Sequence, residues 1–104
     1  MEREHKYFVY LLTNAGRTVL YIGVTSELES RLVNHCQGTY PGFTATYQVN
    51  RLIYFESFGE VLAAIAREKQ LKGWTRAKKE ALVARVNPRW EDLSADWPEL
   101  RGWR

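Results

Sequence analysis

Two short apolar stretches, residues 6–13 and 18–24, open the chain and are rich in the β-branched and aromatic residues that strands favour. The sequence Asn-Ala-Gly-Arg lies between them, and its Asn and Gly tolerate the positive φ of tight turns, so the pattern predicts a β-hairpin. A loop of two or of four residues pairs positions whose numbers sum to 31. Tyr10 is then predicted directly opposite Tyr21, with both phenols on one face of the sheet.

A helix is predicted immediately after the hairpin. Ser26, followed three residues later by Glu29, matches a capping box, and Gly38 is available to end the helix. Arg31 and His35 are four residues apart and lie at the edge of the helix's apolar stripe, so both side chains are predicted to reach the sheet. The stripe itself consists of Leu28, Leu32 and Cys36.

The second half of the chain predicts one more strand and two more helices. Residues 38–47 contain two glycines and a proline and indicate a loop, which leads to a short extended piece around Tyr47 to Val49. Residues 51–57 predict a third strand, and apolar positions three or four apart predict a helix over 60–72. A further helix, with Thr75 as its cap, is predicted to run until Asn87-Pro88 stops it.

Length and composition indicate one domain, 1–104, with a core of about 5–88 and a Trp-rich tail at 89–104. Cys36 is the single cysteine, which excludes an intrachain disulfide and a metal site built on paired thiolates. No apolar run is long enough to span a bilayer and no leader pattern is visible, so we expect a cytoplasmic protein without a membrane or disulfide-linked partner. The net charge of +3 is compatible with a polyanionic partner.

Candidate chemistry rests on two phenols, a guanidinium, an imidazole and a carboxylate: Tyr10, Tyr21, Arg31, His35 and Glu68. Each has a plain structural interpretation, such as an ion pair of Arg31 with Glu27. Glu68 is harder to explain in this way, because a carboxylate in an apolar row needs a cation, hydrogen bonds or a metal. Arg31 is one available cation. Used together, the five side chains suit phosphodiester hydrolysis with one metal ion.

Four segments carry a resemblance to a known family. The motifs "FVY" at 8–10, "YIG" at 21–23, "RLVNH" at 31–35 and "AREKQLKGW" at 66–74 resemble the GIY-YIG nuclease superfamily. The longer stretches "REKQLKGWTRAKKEALV" and "NPRWEDL" resemble its small, single-domain bacterial members. The resemblance implies an α/β (α+β) fold, with a small central antiparallel sheet of about three strands flanked by helices. It also implies a metal-dependent endonuclease acting on nucleic acid, expected to be DNA.

By position, the resemblance implies a role for each candidate residue. Tyr10 and Tyr21 correspond to the tyrosines of the first and second motifs, and Arg31 to the superfamily's helix arginine. His35 falls where many members have a histidine or another polar group, and Glu68 where the metal-binding glutamate lies. The implied cofactor is one Mg²⁺ or Mn²⁺ ion.

The first motif departs from its name, because Phe8 and Val9 replace Gly and Ile. Small members also lack the additional DNA-binding domains of larger relatives, which leaves DNA or RNA, strand structure and oligomeric state open. The alternative function is a binding module that holds nucleic acid with little or no cleavage, and a third is a protein-interaction domain using the Trp-rich tail. Candidate nucleic-acid contacts are Arg76, Lys78, Lys79, Arg85 and Asn87.

Overall fold

The computed structural model describes residues 6–37 and 46–97. The helices and strands follow in the order β1 (Tyr7–Thr13), β2 (Leu20–Thr25), α1 (Leu28–Gln37), β3 (Arg51–Phe58), α2 (Val61–Lys72) and α3 (Arg76–Ala84). The strands form an antiparallel sheet in the order β2-β1-β3. The predicted α+β fold with a small antiparallel sheet is therefore confirmed.

The hairpin register differs from the prediction by two residues. Tyr10 pairs with Gly23, and Tyr21 pairs with Leu12, so the predicted direct pairing of the two tyrosines is wrong. A shift of two residues leaves every side chain on its original face, because side chains alternate along a strand. Tyr10 and Tyr21 are therefore diagonal neighbours on one face of the sheet.

The shift arises because the loop is longer than predicted, running from Asn14 to Val19. The Asn14 side-chain oxygen accepts hydrogen bonds from the backbone N–H groups of Thr18, at 2.9 Å, and Val19, at 3.1 Å. Arg17 has a φ of 57° and donates its N–H to the Asn14 carbonyl at 3.0 Å. The asparagine thus organises a wider turn than Asn-Ala-Gly-Arg alone predicts.

Helices cover both faces of the sheet. Tyr10 and Leu12 of β1 pack with the buried Leu28 and Leu32 of α1. The alternate β1 residues, Val9 and Leu11, pack on the other face with the buried residues of α2 and α3, which are Ala64, Leu71, Leu82 and Val83. Each face of the sheet therefore has its own apolar cluster.

Threonine hydroxyls lie near the starts of two helices. Before α1 the Thr25 hydroxyl accepts from the N–H of Glu27, at 3.0 Å, and the Glu27 carbonyl accepts the first helical hydrogen bond, from Arg31. At α3 the Thr75 hydroxyl accepts from the Lys78 N–H at 3.2 Å, which confirms the predicted cap. The Thr75 bond satisfies an N–H group that has no partner within the helix.

Other boundaries differ from the predictions. Tyr47 and Gln48 form a turn, with φ of 52° at Gln48, so the extended piece predicted there is wrong. The last helix ends at Ala84, before the predicted stop at Asn87-Pro88. The predicted stop of α1 at Gly38 lies outside the described residues.

The segment after α3 returns along β3. The register of β1 and β3 shifts between Leu11 and Leu12, which leaves Ile53 as the extra residue of a β-bulge. The Asn87 side-chain amide donates to the Ile53 carbonyl at 2.9 Å, and the Leu93 N–H donates to the Leu52 carbonyl at 2.7 Å. Hydrogen bonds thus hold the start of the tail against the domain.

Candidate active site

The Tyr10 ring occupies the space that a side chain at position 23 would need. Tyr10 is fully buried and faces Gly23 across the hairpin. A Cβ atom at Gly23 would collide with both Cζ and the hydroxyl of Tyr10. The glycine of the "YIG" motif therefore makes room for the tyrosine of the first motif, a role that the sequence reading did not identify.

Three rings meet on the α1 side of the sheet. The centroid of the His35 ring lies 5.4 Å from that of Tyr21 and 6.1 Å from that of Tyr10, and the two tyrosine rings are 6.3 Å apart. The Tyr10 hydroxyl and His35 Nε2 form a hydrogen bond of 3.2 Å. We call these three residues the ring cluster. Because α1 places His35 above the hairpin, the cluster joins both motifs.

The environment of the ring cluster keeps His35 neutral. Burial, followed by the nearby positive charge of Arg31, lowers the pKa of His35 to about 4. The imidazole therefore carries no charge near pH 7. When Nε2 is the unprotonated nitrogen, it accepts a hydrogen bond from the Tyr10 hydroxyl.

Glu68 is carried by a different helix from Arg31 and His35. It lies on α2, and its carboxylate pairs with Lys72 at 3.4 Å rather than with Arg31. The Glu68 side chain is 15% exposed and that of Lys72 is 55% exposed. The structure thus brings Tyr10, Tyr21 and His35 together with Arg31 nearby, and places Glu68 on a separate helix.

Glu68 is the candidate carboxylate ligand of a hard cation. Within the described ranges, no group of three or more His, Cys, Asp or Glu side chains is placed to hold a metal ion. Mg²⁺ is commonly held by one or two carboxylates and completes its shell with water and phosphate oxygens. A single carboxylate such as Glu68 is compatible with that mode of binding.

The comparisons with known proteins agree with the motifs. The sequence profile of the GIY-YIG catalytic domain matches residues 6–81. The chain belongs to the GIY-YIG family. A UPF0213 protein of Natronomonas pharaonis is 38% identical over 78 residues, covering 75% of this chain and 91% of the relative. A UPF0213 protein of Bacillus pumilus is 34% identical over 83 residues, covering 80% and 83% respectively.

A solved structure supports the same fold. The solution NMR structure of a UPF0213 protein from Bacillus halodurans is similar to this GIY-YIG protein with a TM-score of 0.55 and 25% identity. The similarity covers 88% of this chain and 97% of the other. No helix in the described part of the chain is long and apolar enough to cross a membrane.

Two of the predicted nucleic-acid contacts make extensive bonds within this GIY-YIG domain. The Arg76 guanidinium donates to the carbonyls of Arg17 and Thr18, both at 3.0 Å, and pairs with Glu80 at 2.8 Å. Asn87 is buried, and its side chain bonds to backbone groups of Ile53 and Glu91. These contacts favour structural roles for Arg76 and Asn87.

The remaining predicted contacts lie on the surface of α3 or directly after it. Lys78 and Arg85 are exposed and Lys79 is half-buried. The Lys78 ammonium lies 5.9 Å from the centroid of the Trp74 ring. These three cations stay candidates for contact with phosphate.

Sequence reasoning missed a polar cluster on the α2 side of the sheet. Arg67 binds Glu56 through two parallel contacts of 2.9 Å, and the Tyr54 hydroxyl donates to the same carboxylate. Burial alone would raise the pKa of Glu56, but the hydrogen bonds from Arg67 and Tyr54 lower it. Burial, together with the adjacent carboxylate, raises the pKa of Tyr54 to about 12. The available signal was the i, i+2 spacing of Tyr54 and Glu56, which places both on one strand face.

Proposed function

We propose that this GIY-YIG protein is an endonuclease that hydrolyses phosphodiester bonds in DNA with one divalent metal ion, Mg²⁺ or Mn²⁺. The observation that carries the proposal is the ring cluster. It joins the tyrosines of both motifs to a neutral imidazole, with a hydrogen bond of 3.2 Å between the Tyr10 hydroxyl and His35 Nε2. Family membership supports a nuclease-type reaction.

The positions of the three rings suggest different tasks. Tyr10 is fully buried, so it acts on the substrate through its neighbours. Tyr21 is only partly buried and is the phenol available to orient a water molecule. Its oxygen is also the group that receives the proton of that water. The His35 ring is buried, and its hydrogen bond to the Tyr10 hydroxyl fixes the plane of the ring beside Tyr21.

Charge stabilisation comes from groups outside the ring cluster. Arg31 is partly exposed one helical turn before His35, where its guanidinium can bind phosphate oxygens. Glu68 is the carboxylate that would hold the divalent ion. Such an ion, when bound, would stabilise the negative charge that develops on the phosphate.

Replacing Glu68 with Gln tests the metal role. The Glu68–Lys72 pair is an i, i+4 contact with a half-exposed lysine, and such pairs contribute about 0.3–0.5 kcal/mol. We therefore expect the free energy of unfolding to change by less than about 1 kcal/mol, while cleavage falls by orders of magnitude. Cleavage is measured on labelled single-stranded, duplex and branched DNA, with Mg²⁺ or with EDTA.

Glu80→Gln is the matched control, because Glu80 also forms an i, i+4 pair, with Arg76, on an exposed helix. It should cleave as the unmodified protein does. Cleavage that persists in EDTA, or in Glu68→Gln, would contradict the proposed mechanism. Binding without turnover on every substrate would instead support the binding-module alternative.

A further inference from the structure

Two adjacent clefts meet on the surface formed by α3 and β3. One has a volume of about 290 Å³ and is lined by Trp74, Lys78, Ala81, Leu82 and Arg85. The other has a volume of about 270 Å³ and is lined by Tyr54, Glu56, Arg67, Leu82, Arg85 and Val86. Because Leu82 and Arg85 line both clefts, we treat them as one feature, the Trp74–Val86 groove.

The sheet separates this groove from the ring cluster. Tyr54 and Glu56 pair with Leu11 and Val9, whose side chains face α2 and α3. Tyr10 lies on the alternate face of the same strand, against α1. A ligand in the groove therefore makes contacts additional to those at the ring cluster.

The groove carries excess positive charge. The carboxylate of Glu56 is already neutralised by its two contacts with Arg67. Lys78 and Arg85 are exposed and form no ion pair with any residue in 6–37 or 46–97. Two uncompensated cations thus project beside an apolar wall formed by Ala81 and Leu82.

An aromatic ring lies beside these cations. The Trp74 ring is partly exposed, with the Arg67 guanidinium 5.3 Å and the Lys78 ammonium 5.9 Å from its centroid. Proteins that bind single strands combine cations for the backbone with aromatic rings for unpaired bases. Paired bases inside a duplex are already stacked and do not offer their faces to such a ring.

We propose that the Trp74–Val86 groove binds an unpaired nucleotide of a nucleic-acid strand. Lys78 and Arg85 hold the phosphate, and the base packs against Trp74 and Leu82. The inference rests on the proposed function only for the class of ligand, because binding is measured without cleavage. It makes the groove a second contact that favours substrates with a single-stranded segment.

Fluorescence anisotropy with a labelled oligothymidylate and a labelled duplex of equal length, both in EDTA, tests the inference. We expect the oligothymidylate to bind more tightly than the duplex. The double variant Lys78→Gln, Arg85→Gln should weaken single-strand binding about tenfold or more and reduce the dependence of log K on log salt by about 1.4, as expected for two phosphates. Trp74→Leu should weaken binding about tenfold, and Trp74→Phe should keep most of it.

The matched control is Arg51→Gln, Lys69→Gln, which removes two exposed cations outside the groove. Equal losses in the control and the groove variant would overturn the inference, as would equal affinity for the duplex. All four altered cations are exposed, so folding should survive in both double variants.

Failure of the groove can be told apart from failure of the nuclease proposal. If the groove variants bind normally while Glu68→Gln abolishes cleavage, only the groove inference is wrong. If the groove binds as expected but no substrate is cut with Mg²⁺ or Mn²⁺, only the nuclease proposal is wrong.

Discussion

Acidification below pH 6.5 is expected to destabilise the protein through His35. The side chain is 4% exposed, and burial, followed by the charge of Arg31, lowers its pKa from 6.5 to about 4. Between these two values the unfolded chain binds a proton that the folded protein does not. The free energy of unfolding therefore falls as the pH falls through this interval.

The size of the effect follows from the two pKa values. One pKa unit corresponds to about 1.4 kcal/mol, so the difference amounts to about 3 kcal/mol once the pH is below both values. About 2 kcal/mol of this is lost by pH 5. Glu56 adds to the loss only at lower pH, because its pKa lies below 4.5. The interval from pH 6.5 to 5 therefore reports mainly on His35.

Urea unfolding followed by circular dichroism at pH 7.5, 6 and 5 measures this loss. The unmodified protein should lose about 2 kcal/mol more between pH 7.5 and 5 than His35→Gln, which has no titrating imidazole. The chain has two histidines, so His5→Gln serves as the control and should follow the unmodified protein. Parallel pH dependence in the unmodified protein and His35→Gln would refute the reasoning, because the imidazole would then titrate alike in both states.

Two further substitutions test the packing that surrounds the site. Gly23→Ala should lower the free energy of unfolding by about 1–3 kcal/mol, because the new Cβ collides with Tyr10. A thermal melt measures the loss, and an unchanged melting temperature would contradict the expectation. Asn87→Ala should lower the free energy of unfolding, measured in urea, by about 2–3 kcal/mol, because the Ile53 carbonyl loses its side-chain donor. The exposed control Gln70→Ala should change it by less than about 1 kcal/mol.

Local sequence signals predicted most of the fold. Periodicity located the strands and helices with described bounds, and the Thr75 cap was read correctly because capping depends on neighbours within one turn. The hairpin register was predicted two residues away from its true position. Its loop is set by the Asn14 side chain, whose hydrogen bonds reach as far as Val19. A side chain that replaces backbone contacts in this way leaves little trace in the hydrophobic pattern.

The candidate site was predictable only in part, for a related reason. Tyr10, Tyr21 and His35 meet as expected, because period-2 and period-3.6 patterns decide which face each residue occupies. The partnership of Arg67 with Glu56 depends on how α2 packs across β3, which no local pattern encodes. The same holds for Asn87, which acts as a structural amide because the β-bulge presents a carbonyl to it.

The hydrogen bond between Leu93 and Leu52 covers part of an edge of the sheet. β3 lies at the edge of the sheet, where unpaired backbone groups invite a strand from another molecule. The Leu93 N–H donates a hydrogen bond to the Leu52 carbonyl. The Asp92 carboxylate accepts one from the Leu52 N–H at 3.2 Å. The segment that contains Asp92 and Leu93 therefore covers the first part of the β3 edge, and it places a carboxylate there. Cutting the chain before Asn87 would uncover that edge and leave its backbone groups as a template for aggregation.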